Sequence, residues 1–507
     1  MQTFTHSLKG YQDRRAIALL LLGFSAGIPI LLIFSTLSLW LLEAGVKREM
    51  VTMFSWAALG YSFKFVWSPL IDALPVPLLS RWLGKRRGWL LLAQGLIIVA
   101  IVLMSSINPQ FSGSLNAMAW GAVLLGFSSA TQDVVIDAYR IEAAPDDSAM
   151  QSVMSSTYTA GYRLGMIVAG AGSLMLAQWL GSTKEHYVYS AWQQTYWAMA
   201  ATMLVGVAAT LWVREPAAHR DNVQAAGQNV NDNVRLLVMF ALSVLAFVFA
   251  FRQINTLLPE HAASPVAALL WETLRLAGSL LAAVAMGFAA VQIKLVRAEV
   301  VRRVWIAPLA DFFARYGKRA LLLLALIGLY RISDIVSGVI SNVFYADMGF
   351  SKVEIAGAVK TFGVAMSILG GIAGGVLAQR FRLMNMMMLG AVAAAATNLL
   401  FVWLALRGHD VPLMYTAVGL DNFAAGLAGT VFVAFLSALT NIRFTAVQYA
   451  LFSSLMTLLP KTIGGYSGAI VKQIDYTGFF LFTAALGVPI VVLVWWADRV
   501  LFRDGAA

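Results

Sequence analysis

Phe63-Lys64-Phe65-Val66-Trp67-Ser68-Pro69-Leu70-Ile71-Asp72 closes an apolar run that begins near residue 50, and the loop behind it ends in Gly84-Lys85-Arg86-Arg87-Gly88 before apolar residues resume. The stretch reads as the end of one membrane span, a basic loop and the start of the next span. Lys64 is its odd member, a cation eight residues before Asp72 and inside the span. Such charges recur, because Asp133, Arg163, Arg331, Asp334, Lys360, Asp421 and Lys461 also sit within otherwise apolar stretches of span length. A charged side chain at the bilayer centre costs about 2.5–3.5 kcal/mol on the lenient insertion scale, so these residues are expected to face a wet cavity, a cargo or each other. The pattern implies a chain that moves something polar across a membrane.

Composition points the same way. With 60% hydrophobic and only 12% charged residues in 507, the chain reads as an all-α polytopic membrane protein without a sizeable soluble domain. The net charge of +11 reads as membrane orientation rather than a nucleic-acid footprint. No cysteine occurs, which excludes a disulfide framework and a thiolate metal site. The polar start, 1–15, runs into an apolar segment too long for the core of a cleaved signal peptide and is read as leading into the first span.

Hydropathy gives fourteen expected spans: 16–42, 50–72, 88–107, 116–140, 151–180, 191–213, 235–258, 266–297, 320–346, 353–378, 383–406, 412–439, 444–470 and 476–502. With both termini cytoplasmic, the basic clusters Arg81, Lys85, Arg86 and Arg87 and Lys294 through Arg319 fall inside, whereas the outer loop after residue 107 carries no Lys or Arg. The expected organisation is a six-helix half over 1–213, a polar linker at 214–234 and an inserted helix pair at 235–297. An amphipathic cytosolic segment at 298–319 and a second six-helix half over 320–507 complete it.

Two six-helix halves joined by a cytosolic linker are the organisation of a major-facilitator transporter, with cargo bound near the midplane between halves. The loop quoted above resembles that superfamily's motif, in which an Asp at a helix end and the basic residues after it latch the cytosolic side. Asp72, Arg86 and Arg87 occupy those places, and the matching stretch of the second half, 374–382, keeps glycines and arginines but lacks the Asp. The expectation is a cytosolic gate dominated by the first half; the plainer alternative is that Asp72 and its loop only anchor topology. Asp137, three residues before Arg140 near the cytosolic end of the fourth span, is assigned to the same gate.

The chain resembles the AmpG-type muropeptide permeases of Gram-negative bacteria over nearly its whole length. The resemblance rests on Leu22 to Pro29, Phe63 to Asp72, Arg86 to Leu91, Ser129 to Ala138, Gly161 to Met166, Leu329 to Asp334 and Val359 to Gly363, with charges in a fixed order inside successive spans. The inserted helix pair suits the family too. The resemblance implies proton-driven uptake, across the inner membrane, of N-acetylglucosaminyl-1,6-anhydro-N-acetylmuramic acid with or without its stem peptide. It further implies service to cell-wall recycling and, through it, β-lactamase induction and β-lactam resistance.

Such a cargo offers hydroxyls, amides and carboxylates, so its site needs cations, hydrogen-bonding groups and aromatic faces. Arg163, Arg331, Lys360 and Lys461 are the candidate carboxylate partners; Gln132, Asn422 and Tyr162 are candidate polar contacts, with Tyr158, Trp40, Phe63, Trp67 and Tyr330 as further aromatics. Arg331 and Asp334, spaced i, i+3, admit a purely local ion pair instead. Proton coupling needs a carboxylate that alternates between neutral and charged forms. A Lys64–Asp133 pair is the first expectation, with Asp334 and Asp421 as the fallback carboxylates and a structural salt bridge as the alternative. Gly370, Gly371, Gly374 and Gly375 give G-x-x-x-G spacings whose default meaning is close helix packing.

The chain contains no H-E-x-x-H, G-x-S-x-G or G-x-x-x-x-G-K-[ST] motif, so neither a metal, a cofactor nor ATP is expected; the proton gradient is the driving force. Other readings are a carrier of a different anionic metabolite such as acetyl-coenzyme A, a membrane enzyme acting on lipid-linked sugars, or a sensor that binds without transport. A functional monomer in the bilayer is expected.

Overall fold

The computed structural model describes residues 9–47, 54, 61, 63–111, 113–145, 147–183, 185–216, 230–258 and 265–503. Among them every regular element is helical. Among the described residues thirteen helices are long and apolar enough to cross a membrane. They are α1 Arg14–Glu43, α2 Lys85–Ser105, α3 Ser114–Ala143, α4 Ser148–Trp179, α5 Tyr189–Trp212, α6 Asn231–Leu257 and α7 Thr273–Gln292, then α8 Arg319–Asp347, α9 Val353–Ala378, α10 Leu383–Arg407, α11 Val411–Leu439, α12 Ile442–Gly464 and α13 Ser467–Leu501. The first part of the expected second span, 50–72, lies largely outside the described residues; its end is a 3-10 turn, Lys64–Val66, followed by the helix Ser68–Ala73.

Several spans are broken where the sequence would lead one to expect continuity. α1 is interrupted at Phe34 (φ −95°, ψ −95°), a turn beyond the helix-breaking Pro29. α8 is interrupted at Arg331 (φ −101°, ψ 13°), which caps its second segment, Ile332–Asp347. The expected break between the last two spans falls inside α13, where Asp475 takes a positive φ of 57° and its carboxylate accepts the Gly478 amide at 3.0 Å, as an N-cap does. π turns at Val168–Gly172 and Ala356–Phe362 lie in α4 and α9.

Residues Asp221–Asp311 form one compact unit, in which α6 and α7 pack on each other. The remaining chain, Met1–Arg220 with Phe312–Ala507, forms the other. This larger unit holds one apolar core around Trp40, Ile97, Met104, Trp192 and Tyr196 and a second around Leu323, Phe344, Phe401, Phe432 and Phe480. Glycines set its two tightest helix pairs. A Cβ on Gly161 would stand 2.0 Å from the Leu20 carbonyl oxygen and one on Gly27 2.1 Å from that of Tyr162, so α1 and α4 touch backbone to backbone. In the second half a Cβ on Gly370 would stand 2.0 Å from the Phe423 carbonyl oxygen and one on Gly426 2.1 Å from that of Ser367, which gives α9 and α11 the same relation. The G-x-x-x-G spacing of α9 is thus a packing surface.

The halves of the larger unit meet at the end that carries the basic loops. The Ser155 hydroxyl donates to the Thr430 carbonyl (3.2 Å) and the Tyr11 hydroxyl to that of Ile372 (3.1 Å), besides the contacts of Asp72 and Arg140 described below.

Candidate cytosolic gate and intramembrane charge sites

The candidate gate is built around Asp72, the penultimate residue of the helix Ser68–Ala73. One carboxylate oxygen accepts from Arg86 Nη2 at 2.6 Å; the other accepts from the backbone amide of Val447 at 3.0 Å. Val447 is the third residue of the helical segment Thr445–Gly464, whose first amides have no acceptor within the helix. An anion there also faces the positive end of the helix dipole. Asp72 therefore caps a helix of the opposite half.

Arg86 is fully buried and carries a second anion, donating to the Glu142 carboxylate at 2.6 Å through Nη2 and 3.0 Å through Nε. The Lys85 ammonium holds the Asp72 carbonyl. Glu215 accepts the amides of Arg86 (2.8 Å) and Arg87 (3.1 Å), fastening the start of α2. Arg140 is the other gate cation. It donates to Ser437 (2.7 Å) on α11 and to Gln151 (3.1 Å), pairs with Asp137 (3.4 Å), and stands 5.2 Å above the ring of Tyr449 on α12.

Arg87 departs from the expected gate. Its guanidinium donates to the Thr210 and Leu211 carbonyls (3.0 and 2.8 Å) at the end of α5, so it ties first-half helix ends together. Glu142, Glu215, Ser437 and Tyr449 were not singled out by sequence. Their charges or rings lie at helix ends where solvated residues are the ordinary reading, and only pairing across distant segments reveals them.

Deeper in the first half, the expected Lys64–Asp133 ion pair is replaced by another. Lys64 Nζ lies 3.9 Å from Asp137 Oδ2, and Asp133 accepts instead from the Tyr158 hydroxyl at 3.4 Å while remaining within electrostatic reach of Lys64. The two carboxylates are four residues apart on one face of α3, and the 3-10 turn carrying Lys64 places its ammonium against the one nearer the gate. Asp137 is thereby shared between Lys64 and Arg140, joining the buried charges to the gate. Tyr162, with its ring 6.0 Å from that of Tyr158, lies within electrostatic reach of both Asp133 and Arg163.

A second cluster crosses the halves. Arg331 donates to Asp334 through Nε (3.1 Å) and Nη2, the local i, i+3 pair, so its charge is already partly met. Asp421 accepts from Thr397 at 2.9 Å and lies within electrostatic reach of Arg331 and Asp334. Arg163 approaches from α4 of the first half, half-buried and close enough to feel Arg331 and Asp334. It makes no hydrogen bond or ion pair with any described residue. Among the described residues its nearest anionic influence is thus Asp334, which is already paired with Arg331.

The other candidates stand apart. Gln132 is fully buried, its amide nitrogen donating to Ser25 (3.0 Å) in α1, while its Oε1 has no hydrogen-bond partner among the described residues. The Asn422 amide donates to the Val418 carbonyl of its own helix (2.9 Å). Lys360, exposed in the π turn of α9, joins neither cluster. Lys461 is exposed on α12 and within electrostatic reach of Lys64. Trp40 stacks on Trp192 (5.8 Å between rings) and Tyr330 donates to the Met387 carbonyl (2.9 Å), so both are packing residues.

The family model of the Major Facilitator Superfamily matches residues 16–350. Among curated proteins, "Putative transporter AmpG 4" of Rickettsia felis is 28% identical over 97% of this chain and 98% of its own. "Anhydromuropeptide permease" of Escherichia coli K12 is 30% identical over 96% of this chain and 80% of its own. Among solved structures, the proton:xylose symporter XylE bound to 6-bromo-6-deoxy-D-glucose superposes with a TM-score of 0.58 at 13% identity, covering 97% of this chain and 96% of that one. FucP in the outward conformation gives 0.57 at 12%, covering 95% and 98%. At such identities the two structures speak for the fold alone.

Proposed function

This chain belongs to the Major Facilitator Superfamily and, within it, to the AmpG-type permeases, multi-pass proteins of the bacterial inner membrane, and from that premise we propose that it imports anhydromuropeptides by proton-coupled alternating access. The cargo is N-acetylglucosaminyl-1,6-anhydro-N-acetylmuramic acid with or without stem peptide. Its import serves cell-wall recycling and, through it, β-lactamase induction. The transport unit comprises the halves 1–213 and 320–507 acting as a monomer, with 214–234 as linker, 235–297 as an inserted pair and 298–319 as a cytosolic amphipathic segment. No cofactor takes part.

Arg163 carries the reading. A guanidinium on the first half that has no hydrogen bond or ion pair with a described residue, and that lies within electrostatic reach of the Arg331–Asp334 pair of the second, suits a cargo carboxylate that must touch both halves to drive their exchange. A charge-assisted, bidentate contact supplies both orientation and energy there. Lys461 and Lys360 are secondary cations for longer peptides, and Tyr162 a ring contact.

Coupling runs through α3. A proton arriving at Asp133 removes one of the two carboxylates near Lys64, leaving Asp137 as the single anion between Lys64 and Arg140. The change bears on Arg140 and hence on its bond to Ser437 across the gate. Asp421, beside Arg331, is the second carboxylate placed to sense cargo.

Titration calorimetry on the purified protein tests the cargo. The disaccharide anhydromuropeptide is expected to bind and acetyl-coenzyme A not to; the reverse order would assign the carrier to another anion.

A further inference from the structure

Arg315, Tyr316, Gly317, Lys318, Arg319 and Leu501 line one cavity, where the start of α8 meets the end of α13. The fold accounts for only one of its three cations. Arg315 donates to the Leu439 carbonyl (3.1 and 3.2 Å) and to the Gln448 side chain (2.9 Å), which clamps it to the end of α11 and the start of α12. Lys318 and Arg319 are exposed and make no side-chain hydrogen bond or ion pair with a described residue. Gly317, at φ 52°, turns the chain so that the two cations follow Arg315 directly around the cavity.

The depth of the cavity in the membrane can be read from its neighbours. Trp495 and Trp496, six and five residues before Leu501 on α13, are half exposed, and Leu321, two residues beyond Arg319, is exposed as well. Exposed tryptophans at a span end mark the headgroup level, and an exposed leucine next to a cation marks the boundary with the acyl chains. In the orientation expected from the basic loops this face is the cytosolic one, toward which anionic lipids attract basic residues by about 1 kcal/mol each in general.

We propose that this cavity binds the phosphate group of an anionic phospholipid, with Lys318 and Arg319 on the phosphate, Arg315 as a fixed wall and Leu501 against the start of the acyl chain. The contact would join α8 to α13 within the second half, beside the clamp that Arg315 places on α11 and α12.

The full chain, purified in mild detergent and examined by native mass spectrometry after addition of phosphatidylglycerol or phosphatidylcholine, tests it. Phosphatidylglycerol is expected to remain bound and phosphatidylcholine not to, with retention falling at least fivefold in K318Q/R319Q. R302Q/R303Q, which removes the same charge from an exposed helix, should retain lipid as the starting protein does. Thermal unfolding in detergent checks that both variants fold. Equal retention in the two double variants, or equal retention of both lipids, overturns the proposal. Displacement of the lipid by millimolar inorganic phosphate, lost in K318Q/R319Q, would support the phosphate site and make a free anion its alternative occupant.

Discussion

The Asp72 carboxylate accepts the Val447 amide at 3.0 Å and so caps, from the first half, a helix of the second. The same carboxylate holds Arg86, which holds Glu142, so one buried cation stands between two anions of its own half while one of those anions also serves a helix end of the other. Under the proposed alternating access, closure of this side depends on the charge at that one helix terminus.

Asp72→Asn should weaken that closure. Removing one partner of a buried ion pair destabilises by about 3–5 kcal/mol, and the amide also loses its attraction to the helix terminus. Because the chain has no cysteine, single pairs can be introduced for spin labels on either side of the gate. The distance distribution is expected to shift toward a cytosol-open form; an unchanged distribution with unchanged transport would leave Asp72 a topology anchor.

Arg87→Gln should behave differently, because its bonds stay within the first half. A lower unfolding temperature with an unaltered gate distance is expected. A gate that opens in this variant would contradict the separation drawn between Arg86 and Arg87.

Arg163→Ala should raise the cargo KM or Kd by about 10- to 100-fold, the equivalent of one charged hydrogen-bonding contact, without lowering the unfolding temperature, since no carboxylate among the described residues forms an ion pair with it. Arg163→Lys should recover part of the affinity. Binding equal to that of the starting protein in Arg163→Ala would remove this residue from the site.

Gly161→Val should destabilise by at least about 2 kcal/mol, as overpacking does, because even a Cβ would stand 2.0 Å from the Leu20 carbonyl oxygen. Gly95, around which a Cβ would meet nothing within 4 Å, is the matched control. Equal unfolding temperatures for Gly161→Val and Gly95→Val would mean that α1 and α4 are not in backbone contact.

The class of fold was legible in the sequence because bilayer spans are written in composition and length, and because basic loops report their side. Asp72, Arg86 and the Arg331–Asp334 pair were legible for a local reason, since each sits near its partner or its motif along the chain. The Asp137–Arg140 pair was legible for the same reason, whereas the bond of Arg140 to Ser437 and the anions Glu142 and Glu215 were not, because Ser437 and Glu215 lie hundreds and scores of residues from the groups they meet. The Lys64 partner was misassigned by one helical turn. Counting residues back from Asp72 treats the segment as a uniform α-helix, whereas Lys64–Val66 is a 3-10 turn with a different rise and a different facing. Ser25 as the acceptor of the Gln132 nitrogen was not legible either, because depth alone does not say whether an amide faces cargo or a neighbouring helix.

The central claim is proton-driven accumulation, and proteoliposomes test it most directly. Labelled anhydromuropeptide should concentrate inside when the outside is made acidic, collapse with a protonophore, and fail to concentrate in Asp133→Asn while that variant still exchanges cargo across the membrane. Accumulation by Asp133→Asn equal to that of the starting protein would contradict the role given to α3, and the absence of any gradient-dependent entry by the folded starting protein would contradict proton-coupled import itself.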